Sequence, residues 1–388
     1  MACYISTRNN RYYAALESAL GQVAPVTPAN RFSGLWLDVV QRWEEPRRRD
    51  KTGTRTFQGI AGRLRKRTTF ELTTYLYARD AGTVPPRFGA LMECALGGTA
   101  RVTPEAVPVA QIQGTAATFA TAHGLQPGDA IRFGGELRFV TATPDDVTAW
   151  LSAPVTEAAV TTAGGAVNYR PAGNLPSASL YDYWSPESAI QRVLRGCVVD
   201  ELEIELNGDF HELRFRGEAA GMIDSASFQA GEAGLASFPA EPPVEGLMEA
   251  PVPGHLGQAW IGAEPMALGA VASARIRVKN NIEMRWRDFG ALWPRCVIPG
   301  DREVRIDLEI YSSDSEVCEA IHASANRREP MALMLQMGEL PGAMCGIYVA
   351  NFVPASPEFL DGEERLRWRL RGSRAQGFRD DEIYVAFG

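Results

Sequence analysis

Between residues 194 and 217 the chain reads LRGCVVDELEIELNGDFHELRFRG, and its apolar and charged residues alternate with a period of two on both sides of a turn. Leu202, Ile204 and Leu206 alternate with Glu201, Glu203 and Glu205, and Leu213 and Phe215 alternate with Glu212, Arg214 and Arg216. A period of two is that of a strand, so the segment predicts one long hairpin with an apolar face and a charged face. Asn207-Gly208 is expected to supply a turn with positive φ. Arms of about eight residues span roughly 26 Å, longer than most strands, so the ribbon needs strands along its edges. The expectation is that other copies of the chain supply them.

Composition bounds the rest. A chain of 388 residues can bury a large core and has a prior of two to three domains. Its 45% hydrophobic and 22% charged residues are ordinary for a globular protein, and no apolar run is long enough for a membrane span. The start MACYISTR lacks the basic-then-apolar layout of a signal peptide, so cytoplasmic synthesis and no membrane insertion are expected. Cys3, Cys94, Cys197, Cys296, Cys318 and Cys345 form no Cys-x-x-Cys pair, which points to reduced, mostly buried thiols rather than a disulfide framework or a zinc site. A net charge of −8 argues against a protein that wraps nucleic acid, while leaving room for a surface past which nucleic acid slides.

Along the chain, Tyr13, Leu16, Leu20 and Val23 have helical spacing, Thr69 to Tyr77 reads as a strand, and Phe88 to Leu96 reads as a short helix closed by Gly97-Gly98. From Thr99 to Ala172 the composition turns to Ala, Thr, Val and Gly. Short strand-like pieces follow closely there, at Ala130 to Phe133, Glu136 to Thr141 and Val147 to Leu151. We read residues 99–172 as a small all-β, barrel-like domain inserted into a larger one formed by residues 1–98 and 173–388. A short helix between Pro186 and Gly196 is expected next, and residues 230–265 read as loop. Strands are expected at Ala274 to Val278, Glu303 to Ile310, Met331 to Met337, Gly346 to Phe352, Glu364 to Arg371 and Ile383 to Phe387. A helix capped by Ser313 and Glu316 presents Val317, Ile321 and Ala325 on one face. The fold class is therefore mainly β: a sandwich or barrel with long hairpins, one or two short helices and the inserted β domain.

Catalytic patterns are missing. His123, His211, His255 and His322 lack metal-site spacing, no phosphate loop or Gly-x-Ser-x-Gly elbow occurs, and Asp380-Asp381-Glu382 reads better as a solvated or subunit-facing charge run than as a cation site. No enzyme activity, metal or cofactor is expected. Charge patterning is more informative. Arg47, Arg48, Arg49, Lys51 and Arg55 lie in a basic loop that can meet an acidic surface of another copy. Glu201, Glu203 and Glu205, with Arg214 and Arg216 on the return arm, and the ladder of Arg365, Arg367, Arg369 and Arg371 are single-sign rows, which repel unless opposite charge faces them.

Several segments resemble the tail tube proteins of long-tailed bacteriophages: Ser6 to Ser18, Asp50 to Gly59, Thr68 to Tyr75, Asn174 to Tyr181, Arg195 to Val199 and Asp380 to Phe387. The resemblance covers most of the chain and involves no catalytic motif. It implies a tube domain that forms rings, usually of six copies, stacked into a hollow conduit for DNA, with a long hairpin or loop bridging successive rings. The partners implied are the chain itself, a tape-measure protein in the lumen, a terminator and a distal tail protein. The location implied is the virion tail, after assembly in the host cytoplasm. On that basis Glu201, Glu203, Glu205, Arg214 and Arg216 are candidates for a lumen or inter-ring face. Arg47, Arg48, Arg49, Lys51 and Arg55 are candidates for a loop between subunits, and Arg365, Arg367, Arg369 and Arg371 for a strand ladder at the subunit seam. The inserted domain is expected outside the tube. A distal-tail or baseplate ring subunit is the alternative, and a carbohydrate-binding module, suggested by eight tryptophans and the insertion, is a more remote one.

Overall fold

The computed structural model describes residues 4–60, 62–79, 81–157, 160–247, 249–269, 271–313, 315–362 and 364–388. The chain is mainly β. Strands β1 (Asn10–Leu16), β2 (Trp36–Glu44) and β3 (Arg65–Tyr75) precede helix α1 (Gly89–Leu96). Then come β4 (Val107–Gln113), β5 (Ala116–Phe119), β6 (Ala130–Phe133), β7 (Glu136–Ala142), β8 (Thr148–Leu151) and β9 (Thr162–Ala163). Strands β10 (Val167–Tyr169) and β11 (Ala178–Trp184) lead into the long hairpin of β12 (Arg192–Leu206) and β13 (Glu212–Asp224). After β14 (Gly257–Ile261), β15 (Val271–Lys279) and β16 (Glu303–Tyr311), helix α2 (Glu316–Arg327) leads to β17 (Met331–Leu340) and β18 (Ala343–Val353). The chain finishes with β19 (Glu358–Leu360), β20 (Arg367–Ala375) and β21 (Tyr384–Phe387).

The hairpin arms are longer than the alternation alone suggests, and they stand in the middle of a sheet. Pairing runs β2-β3-β13-β12-β15-β16-β20-β19, antiparallel throughout. The edges of the hairpin are thus covered by β3 and β15 of the same chain, which corrects the expectation that other copies cover them. Its tip differs as well. Residues 207–211 form a wider loop in which the Asp209 N–H donates to Asn207 Oδ1 at 3.0 Å. Neither Asn207 nor Gly208 is among the residues with positive φ, because the side chain of Asn207 makes the turn in place of a two-residue backbone reversal.

One strand serves two layers. Residues Val193 to Cys197 of β12 lie beside β11, whereas Glu201 to Leu206 lie beside β15, and the change occurs at Asp200, where the register against β13 slips. The Asp200 carbonyl accepts the Asn280 N–H at 2.7 Å and its Oδ1 accepts the Ile282 N–H at 2.9 Å, so the bulge is held from both sides. Opposite it, a Cβ on Gly217 would lie 2.0 Å from the Val198 carbonyl oxygen. Through this corner the sheet curls towards a barrel. Leu202, Ile204, Leu213, Phe215, Ile276, Ile306 and Leu370 face Leu333, Leu335, Ile347, Val385 and Phe387 of the β17-β18-β21 layer, and Leu91, Met92 and Leu96 of α1 complete that core.

Helix α1 ends as its sequence predicts, on Gly97 at φ 92°. Three helical readings need correction. Tyr12 to Ala15 are four consecutive buried residues of β1, so the spacing of Tyr13, Leu16, Leu20 and Val23 masks a strand covered on both faces. The helix expected between Pro186 and Gly196 is instead a turn over residues 185–191 followed by the first residues of β12. Helix α2 exists, but its cap is Ser315, whose hydroxyl accepts the Cys318 N–H, and Ser313 only hydrogen-bonds Ser315 at 2.9 Å. The loop expected at 230–265 contains β14, paired with β17.

Strands β4 to β9 form a separate sheet in the order β9-β4-β5-β8-β7-β6, with its own core of Phe119, Ile131, Phe133, Val140 and Leu151. The flanking pieces Arg101–Val102 and β10 pair within the main sheet, so the sheet itself occupies a shorter span than 99–172. Ala130, Leu137 and Phe139 pack on Met334, Tyr348 and Ala386, the outward face of the β17-β18-β21 layer. At that junction Arg138 is fully buried, 3.2 Å from Glu136 and bonded to Gln258 at 2.9 Å. Gly217→Ala should destabilise the protein by roughly 2–3 kcal/mol, since the new methyl group meets backbone that cannot yield. Gly208→Ala, with nothing within 4 Å of its Cβ, should stay within about 0.5 kcal/mol in the same urea titration.

Candidate assembly surface

The face of the main sheet opposite the core carries the charged residues, and their sign alternates along much of it, with like pairs at Arg277 beside Arg305 and Glu205 beside Glu212. Glu71 stands on β3, Arg214 and Arg216 on β13, Glu201, Glu203 and Glu205 on β12, Arg275 and Arg277 on β15, Asp307 and Glu309 on β16, and Arg367 and Arg369 on β20. Neighbouring strands lie about 4.8 Å apart, so paired residues on one face touch laterally. Arg216 reaches Glu201 at 2.6 Å and Glu71 at 3.1 Å, Arg214 reaches Glu203 at 2.8 Å, and Arg275 reaches Glu205 at 3.2 Å. Arg277 bonds Asp307, and Glu309 holds Arg369 at 2.6 Å and Arg367 at 3.6 Å. The single-sign ladders therefore find opposite charges within the chain. Burial opposes the charge of Arg216, but its hydrogen bonds to Glu71 and Glu201 outweigh that and raise its pKa above the ordinary arginine value.

Glu203 is the centre of this lattice. It is 6% exposed, with Arg214, Arg275 and Arg277 all within 4.0 Å. The lattice is open to solvent elsewhere: the Arg275 side chain remains 45% exposed.

The other predicted residues are spread around this face. Arg365 lies before β20, over the ring of Tyr311 at 5.8 Å, and Arg371 is exposed at the β20 position where the register against β16 shifts. Of that ladder, Arg367 and Arg369 both pair with Glu309. Arg47, Arg48, Arg49, Lys51 and Arg55 are all exposed on the 45–64 arm that joins β2 to β3. Arg48 is tied down, to Asp50 and to the Gly59 carbonyl at 2.7 Å, while the other four have no ion-pair partner among the described residues. The Asp380-Asp381-Glu382 run holds Arg302, at 3.0 Å from Asp380 and 3.3 Å from Glu382, and so anchors the segment before β21.

Sequence reasoning missed the two sheet edges. Among the described residues strand β2 pairs only with β3, and its Trp36, Val40 and Trp43 are 44%, 37% and 58% exposed. Strand β19 is three residues long and carries Phe359, 56% exposed. An exposed edge with large apolar side chains invites pairing. The signal was available in the sequence WLDVVQRW, but alternation alone cannot say that a strand is terminal in its sheet.

Cys94, Cys197, Cys318 and Cys345 are buried free thiols, Cys296 is half-buried, and Cys3 lies outside the described residues. Burial raises the Cys345 thiol to about 12. No group of three or more His, Cys, Asp or Glu residues is placed to hold a metal among the described residues, and none of their helices is long and apolar enough to cross a membrane. His211, 4% exposed at the hairpin tip, lines a cavity of about 470 Å³, and neither ring nitrogen has a partner among the described residues. Burial lowers its pKa to about 4.

Comparison with protein-family models gives no match, and comparison with curated proteins gives none either.

Glu203→Gln leaves three guanidinium groups without their shared carboxylate and should cost roughly 2–4 kcal/mol in chemical denaturation, against about 1 kcal/mol or less for the more exposed Glu201→Gln. The histidine gives a pH dependence of definite sign. Below an unfolded-state pKa of about 6.5 the unfolded chain takes up a proton that the folded chain refuses until about 4, so stability falls as pH drops through that window. The loss should reach roughly 3 kcal/mol by pH 4 and be absent from His211→Gln. Parallel stability curves for the two proteins between pH 4 and 7 would overturn it.

Proposed function

We propose that this chain is a structural subunit that joins edge to edge into rings, stacked into a hollow tube with the ion-pair lattice turned to the lumen. In the setting implied by its resemblance to phage tail tube proteins, the rings hold six copies and the lumen passes DNA. The observation that carries this reading is the main sheet itself: a core on one face, a sign-alternating lattice on the other, and an exposed edge at each end. Joining β2 of one copy to the β19-β20 end of the next would cover Trp36, Val40 and Phe359 and remove the exposed edges.

The lattice suits a conduit. The guanidinium groups of Arg214, Arg216, Arg275 and Arg369 already contact carboxylates, which weakens the wall's hold on phosphates, and strong multi-site binding is what a passage for DNA must avoid. The inserted sheet packs on the outward face of the opposite layer, away from the lattice, which supports a place outside the tube. A distal ring subunit of the same kind of tail would use the same edges without stacking.

Negative-stain microscopy of purified protein tests the reading directly. Long hollow tubes are expected, and Trp36→Glu combined with Val40→Glu should leave folded monomers. Isolated rings would favour the distal-ring alternative, and a wild-type protein that stays monomeric at high concentration would sink both.

A further inference from the structure

We propose that the cavity at the hairpin tip is a binding site for an uncharged alcohol or phenol with an apolar body, whose hydroxyl pairs with His211. The cavity is built from one chain's own residues, so it is present whether or not copies assemble.

The site follows from the way the tip is held. Beyond β12 the loop over residues 207–211 folds onto residues 253–254: Phe210 bridges to Pro253, the Gly254 N–H donates to the Asp209 carbonyl at 2.7 Å, and a Cβ on Gly254 would lie 2.0 Å from the Asn207 carbonyl oxygen. On its other side the His211 carbonyl accepts the Leu76 N–H at 2.9 Å, so the backbone that carries the imidazole is fixed from both directions. The cavity opens between two layers at this end of the molecule. Leu206 and Val271 of the paired strands β12 and β15 line it from one layer, and Leu335 and Met337 of β17, which pairs with β14, line it from the other. Its volume of about 470 Å³ suits a small molecule held in the mouth of a barrel.

The lining fixes the chemistry. Among the described residues no Asp, Glu, Lys or Arg takes part in it, although Glu205 of the lattice is the chain neighbour of Leu206. An ion entering would lose its water without meeting a counter-charge, which selects an uncharged ligand. Most polar side chains of the lining are already engaged: Asn207 Oδ1 accepts the Asp209 N–H at 3.0 Å, Gln258 Oε1 accepts from Arg138 at 2.9 Å, and Gln336 Oε1 accepts the Leu137 N–H at 2.8 Å. His211 is different, for it is 4% exposed and neither ring nitrogen has a partner among the described residues. Burial holds its pKa at about 4, so at neutral pH the ring is uncharged, with one nitrogen donating and the other accepting. A half-turn about the Cβ–Cγ bond exchanges the nitrogens with ring carbons and leaves the outline of the ring unchanged, so the edge at the cavity can present nitrogen. Buried polar groups in folded proteins find partners, and a hydroxyl, which both donates and accepts, satisfies whichever nitrogen faces it. An amine would bring a charge, and a carbonyl or ether could only accept.

Probes of one shape test this on the full-length chain by saturation-transfer NMR titration at neutral pH: 2-naphthol, naphthalene, which lacks the hydroxyl, and 2-naphthoate, which carries a charge. 2-Naphthol should bind about tenfold more tightly than either of the others, the size of one well-made hydrogen bond in a buried site. His211→Phe, which fills a similar space without a polar edge, should bring 2-naphthol down to the affinity of naphthalene and leave naphthalene unchanged. His211→Gln keeps a donor and an acceptor and should retain the preference for the hydroxyl. Equal affinity for the three probes, no saturable binding of 2-naphthol, or 2-naphthol binding that survives His211→Phe undiminished overturns the site. If the phenylalanine variant does not fold, the ratio of 2-naphthol to naphthalene affinity in the wild-type chain and in His211→Gln decides alone.

Discussion

The register of β12 against its two neighbours is the constraint on which the rest depends. Glu203 stands opposite Arg214 on one side and Arg277 on the other, while Leu202 and Ile204 point into the core. A slip of one residue would drive three carboxylates into the core and bring three apolar side chains to the charged face, so burial and ion pairing enforce the same register. Exposed ion pairs are individually weak, but here they form a network whose centre is nearly dry, where a wrong neighbour leaves a charge without a partner. The lattice therefore specifies the sheet more than it stabilises it.

The same strand also gives the sheet its shape. At Asp200 the upper part of β12 turns to β11 and the lower part to β15, and Gly217 lets the two backbones approach at the bend. That corner is why one continuous set of ladders encloses a core shared by two layers and why the lattice and the inserted sheet end on opposite sides of the molecule. The placement of the insertion follows from β17 and β18, whose outward side chains are apolar because another sheet packs on them. The faces then have separate roles: core, docking surface, lattice and open edge.

Periodicity made much of this legible. The hairpin, the strands around Ala274, Glu303, Met331 and Gly346, helix α1 and the existence of a separate β-rich segment could be read from alternation, caps and composition. The failures have local causes. Strand β1 is buried on both faces, and a strand without a polar face has no period of two to reveal it. The Asn-Gly at the hairpin tip was a good local turn signal that lost to a longer loop closed by the Asn207 side chain. Ser313 lost the cap to Ser315 by two positions, the usual scale at which local signals fail to place a helix end.

For the candidate surface the division is sharper. Side-chain alternation within each segment already established that Glu201, Glu203, Glu205, Arg214 and Arg216 share one face with no apolar residue between them, because that depends only on neighbours in the chain. Which ladder faces which could not be read there, because it depends on pairing between residues as far apart in the chain as Glu71 and Arg216, 145 positions. Only the folded sheet brought Arg275, Arg277 and Glu309 beside these rows, so that charges expected to await another copy are satisfied at home. It also left β2 and β19 at the edges, where the apolar side chains without partners now stand.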